Sequence, residues 1–132
     1  MPSGLPEQID DGEDIARFLT QSSHFTSDLV KPAAFLPSSR DQETSVSRHG
    51  KDPVERLKTL GKLAASERAL YGAAFLKAIG VRGSSLSVLA AEPPDYHAVI
   101  RNWPVENDPA LQKAKQKELA LQLASLSELF LF

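Results

Sequence analysis

At 132 residues, with 42% hydrophobic and 24% charged side chains, the chain has the size and composition of one globular domain with a modest core. Cysteine is absent, which excludes disulfides and thiolate metal sites and fits a reducing compartment. The net charge of −2 hides a division. Glu7, Asp10, Asp11, Glu13 and Asp14 place five of the seventeen acids in the first fourteen residues, so the rest carries fifteen basic against twelve acidic side chains, or +3. That is too mild to imply nucleic-acid binding by itself. No apolar run reaches the roughly 20 residues of a membrane span. Met1 to Asp14 has neither the basic start nor the apolar stretch of a signal peptide, so a cytoplasmic protein of bacterial type is expected.

Taken in chain order, residues 1–12 hold Pro2, Gly4, Pro6 and Gly12 among acids and read as a mobile acidic tail, with a single α+β domain over 13–132. Ile15, Phe18 and Leu19 fall at i, i+3 and i+4, which predicts a short helix from Glu13 that ends between Thr20 and Ser23. Lys31 to Pro37 is a short apolar run between prolines and reads as an edge strand. The alternation of Glu43 to Arg48 predicts a second strand.

The clearest helix signal follows. Asp52 suits an N-cap, Pro53 the first helical position and Glu55 the capping box, with Val54, Leu57, Leu60 and Ala64 as the apolar stripe. Gly61 inside it costs about 1 kcal/mol relative to alanine. Arg68 to Phe75 is ambiguous: Leu70, Ala74 and Lys77 fit a helix, while Tyr71-Gly72 with a stop at Ile79-Gly80 fits a strand leading into a short helix, the preferred reading. Ser85 to Leu89 and His97 to Ile100 read as further extended segments. Asp108 and Pro109 open the last helix, which runs to Leu123 or Ser125 with Leu111, Leu119, Leu121, Leu123 and Leu126 as apolar surface. Phe130 to Phe132 reads as an edge strand. The predicted architecture is α+β: a small mixed or antiparallel sheet packed against two main helices plus a short N-terminal helix.

Two groups of residues invite a functional reading. Pro93 to Pro104 concentrates Tyr96, His97, Arg101 and the only tryptophan, Trp103, in a proline-bounded segment. Tyr96, Arg101 and Trp103 are the expected contact surface of a non-enzymatic accessory protein that binds another protein. The alternative is a small enzyme acting on a nucleotide or RNA phosphate. There His24 and His97 would serve as acid and base, while Lys31 and Arg48 stabilise charge. No pair among His24, His49 and His97 has metal-ligand spacing, and no cofactor motif is present, so neither a metal nor a cofactor is expected. In a third reading, a nucleic-acid binder, Arg48, Lys51, Arg56, Lys58 and Lys62 form the phosphate-contacting row. Asp52 and Glu55 interrupt it, so a solvated helix face is the expectation.

The order His24-Phe25, Val30 to Pro37, Ser45 to Arg48, Leu70 to Gly72, and His97 to Ile100 with Trp103-Pro104 resembles a group of small uncharacterised bacterial proteins across residues 15–132. In that group an aromatic residue and Arg follow the Ser-Val strand, and the later motif reads Leu-His-Gly-Arg. Here Ser47 and Tyr71 stand in those positions and Ala73 replaces the arginine. A site built on the group's residues would be missing from this chain. The resemblance implies an accessory gene of a mobile element or defence-type cluster.

Overall fold

In the computed structural model, which describes residues 3–48 and 54–132, one six-stranded sheet organises the chain. Its strands are β1 (Asp14–Leu19), β2 (Thr44–Arg48), β3 (Gly72–Lys77), β4 (Ser87–Ala90), β5 (His97–Arg101) and β6 (Glu128–Leu131). They lie in the order β4-β5-β2-β1-β3-β6, and every pairing is antiparallel. The helices are α1 (Val54–Ala65), the short α2 (Ala78–Gly83) and α3 (Pro109–Leu126). The α+β architecture is as expected, and the sheet is wholly antiparallel.

Two local readings are corrected. The segment from Asp14 is a strand, not an N-terminal helix, and the short third helix is α2, in mid-chain. Strand β1 is central, paired on both sides, and Ile15, Ala16 and Leu19 are fully buried although they face opposite sides of the sheet. A strand covered on both faces loses the alternation that marks a half-exposed one, so its spacing mimicked a helix. The run Pro32–Phe35 is a 3-10 helix rather than an edge strand, with proline at its start and Ala34 and Phe35 buried beneath the sheet's main core.

Side-chain alternation divides the sheet into two faces. On one, Ile15, Leu19, Val46, Ala74, Leu76, Val88, Ala98 and Ile100 meet α2, Phe35, Trp103 and the buried ridge of α3. That ridge is Gln116, Ala120, Leu123 and Ala124, so Leu111, Leu121 and Leu126, expected to pack, are left exposed. On the other face Ala16 and Ala73, with Phe18 and Phe75, meet Leu57 of α1. Asp108 caps α3 as the sequence indicated, accepting from the Ala110 N–H at 3.0 Å. The expected cap of α1, Asp52 with Pro53, lies outside the described residues, as does His49.

The described part of the acidic segment lies against the body. Ile9 is 2% exposed within the main core. Arg82 donates to the Ile9 carbonyl and to Asp11, and Ser3 Oγ donates to Glu92 Oε2 at 2.6 Å. No helix among the described residues is long and apolar enough to cross a membrane.

Candidate functional site

The helix α1 covers only part of its face of the sheet, and a cleft of about 660 Å³ opens beside it. Gly61 sets how closely α1 approaches β1: a methyl group there would sit 2.9 Å from the Phe18 ring and 3.0 Å from Leu70. The helix wall is Leu60, Leu63 and Ala64, and the floor comes from Phe18, Ser45 and Ser47. Tyr96 and His97, from the start of β5, close the far side. Lining of this kind, mostly apolar with a few convergent polar groups, is what ligand and partner sites use.

Two arginines are among the residues lining the cleft, Arg17 from the central strand and Arg68 from the loop after α1. Arg17 Nε donates to the Ala34 carbonyl at 2.7 Å and Nη1 to the Ser45 carbonyl at 2.9 Å. Arg68 Nε and Nη2 donate to the carbonyls of Ala65 and Ala64 at 3.1 and 3.0 Å, satisfying the C-terminal end of α1. All four acceptors are neutral. Among the described residues no carboxylate lies within ion-pair distance of either arginine. Burial, and then repulsion from Arg68, pull the Arg17 guanidinium down to about 10.

On the opposite side His97 Nδ1 lies 3.0 Å from the Ala91 carbonyl. A carbonyl can only accept, so Nδ1 is the donor of this hydrogen bond. Tyr96 occupies the left-handed region (φ 69°), and the Arg56 guanidinium stacks 4.5 Å over its ring.

The sequence-selected residues do not converge here. Of His24, His97, Lys31 and Arg48, only His97 lines the cleft. His24 sits half-buried at the end of a 3-10 turn, and its carbonyl accepts from the N–H of exposed Lys31 at 2.9 Å. Arg48, expected to stabilise a substrate's charge, is fully buried and occupied. Its Nε and Nη2 donate to Glu13 at 2.5 and 2.8 Å and its Nη1 to the Pro6 carbonyl at 2.6 Å. The Glu13 hydrogen bond raises its hold on the proton further. It is an internal anchor, with Nε, Nη1 and Nη2 each donating to a protein acceptor.

The expected contact trio is likewise divided. Trp103 is 5% exposed, part of the main core, with Nε1 donating to the Ile100 carbonyl at 3.3 Å. It is a core residue and not a surface hot spot. Arg101 is exposed and paired with Glu43. Tyr96 is 8% exposed and contributes to the cleft. Arg17 and Arg68 escaped the sequence reading. A charged residue inside a central strand is the signal for Arg17, visible once β1 is read as a strand. Among the described residues no three His, Asp or Glu side chains form a metal-ligating group. No protein-family model, no curated protein and no solved structure matches this chain.

Proposed function

We propose that this chain is a non-enzymatic accessory protein that binds another protein, and that docking occurs at the cleft beside α1 rather than at Trp103. One observation carries the reading. Leu63, on the rim of that cleft, is 74% exposed, while Leu60 and Tyr96 line the walls beneath it. An exposed leucine above a preformed apolar trough suits a partner's apolar side chain, with the polar groups around it fixing orientation. The resemblance to accessory genes of mobile elements or defence-type clusters is consistent with this role, and the genes flanking the chain's own would test that setting.

The test is affinity purification from the native host of the wild-type chain and of Leu63→Glu, with circular dichroism to confirm that both are folded. A stoichiometric partner recovered by the wild type and lost by Leu63→Glu is the expected result. Recovery of the wild-type chain alone, or equal recovery by both, overturns the reading.

A further inference from the structure

Two arginines line the cleft, and among the described residues neither is in an ion pair. Arg17 and Arg68 repel one another and spend their donors on backbone carbonyls. Arg17 Nη2 and Arg68 Nη1 have no hydrogen-bond acceptor among the described residues. Among the described residues the only carboxylate lining the cleft is Asp95, which forms an ion pair with neither. Burying charge is costly unless it is paired, and the half-buried guanidinium of Arg82 in α2 has Asp11 at 2.6 Å. Arg48, fully buried, has Glu13. Arg17 stands apart in having burial without a carboxylate.

We propose that the cleft is a binding site for an anionic group, a carboxylate or a phosphate, carried on an apolar body. The anion bridges the free edges of Arg17 and Arg68, and the apolar body lies against Leu60 and Tyr96. Planar guanidinium forks match the paired oxygens of either anion, and each such charge-assisted bond is about twice as strong as a neutral one. The backbone carbonyls hold both forks in place before the ligand arrives, so little side-chain entropy remains to be lost. This inference rests on the reading of the cleft as the docking site and adds what the partner presents there: an acidic or phosphorylated side chain beside an apolar one.

The test is a titration of the isotopically labelled full chain with phenyl phosphate and with benzoate, followed by amide chemical shifts, with benzylamine as the cationic control. The two anions separate phosphate from carboxylate preference. The expected result is saturable shifts at Arg17, Ser45 and Tyr96 for at least one anion and none for benzylamine. Arg68→Gln should weaken that binding about tenfold, the loss of one charge-assisted contact, while Lys117→Gln on α3 leaves it unchanged. Arg68 is exposed, so its variant keeps the fold even if Arg17→Gln does not. No saturable shift with either anion, or equal affinity in Arg68→Gln, overturns the proposal. A partner that needs Leu63 but binds Arg68→Gln at full strength also sinks the anion site and leaves the docking reading standing. Anion binding in a chain that recovers no partner supports the site and removes the docking reading.

Discussion

Arg48 and Glu13 form a two-pronged ion pair across the sheet, 35 residues apart in the chain, with the arginine side chain wholly shielded from solvent and the glutamate 15% exposed. The pair fastens the residues ahead of β1 to the end of β2, and the Pro6 carbonyl completes the arginine's coordination. Removing one partner leaves an uncompensated buried charge. Glu13→Ala is therefore expected to cost about 3 kcal/mol, the lower end for broken buried pairs because the glutamate keeps some exposure. Urea denaturation measures it. A loss below about 1 kcal/mol, typical of exposed pairs, would mean water already reaches the arginine.

Trp103→Ala should unfold the chain's core rather than merely blunt a surface. Loss of a large buried aromatic costs about 3–5 kcal/mol, and the indole N–H bond to the Ile100 carbonyl goes with it. Circular dichroism against urea would show the shift. A variant with the wild-type midpoint would return Trp103 to the surface and revive it as a contact residue.

Gly72 shows where β6 demands a missing side chain. A methyl group there would lie 2.2 Å from the Phe130 carbonyl oxygen and 2.9 Å from the Leu131 Cα, both backbone atoms that cannot rotate away. Gly72→Ala is expected to cost about 1–3 kcal/mol by forcing the β3–β6 pairing apart. Hydrogen exchange at Phe130 and Leu131 should rise in that variant, and unchanged protection would contradict the close approach.

His24 gives the fold a pH dependence. Burial first, and the nearby Arg17 charge second, hold its imidazole below the ordinary 6.5. Below that value the unfolded chain binds a proton that the folded chain resists, so stability is fully present above it and declines as pH falls toward the lowered folded value. His24→Gln should flatten this slope between about pH 7 and pH 5. Denaturation midpoints at both ends of the window decide it, and an unaltered slope would place the titration elsewhere.

Asp108→Ala tests the one cap that sequence and structure agree on. The Ala110 N–H would lose its acceptor, at a cost of about 1 kcal/mol. Thermal unfolding reads the change, and no shift would mean that water replaces the carboxylate.

The elements with short-range signals were legible from residues alone. Asp108-Pro109 announced α3 and the alternation from Glu43 to Arg48 announced β2, whereas the segment around Tyr71-Gly72 fitted helix or strand, and its helix, read as stopping at Ile79-Gly80, runs instead from Ala78 to Gly83. Such signals arise from backbone sterics and capping within a few residues, so they survive without knowledge of the fold. The strand β1 was misread because burial on both faces, a consequence of its central place, erased its alternation. Arg48 and Trp103 looked available because exposure is a property of the assembled sheet.

Local chain chemistry determined the class of the fold, most of its elements and the α3 cap. Tertiary structure alone decided that Arg48 meets Glu13, that Trp103 lies inside, and that Arg17 and Arg68 share a cleft. Those encounters depend on strand order and register, which bring distant residues together through packing that no local pattern encodes.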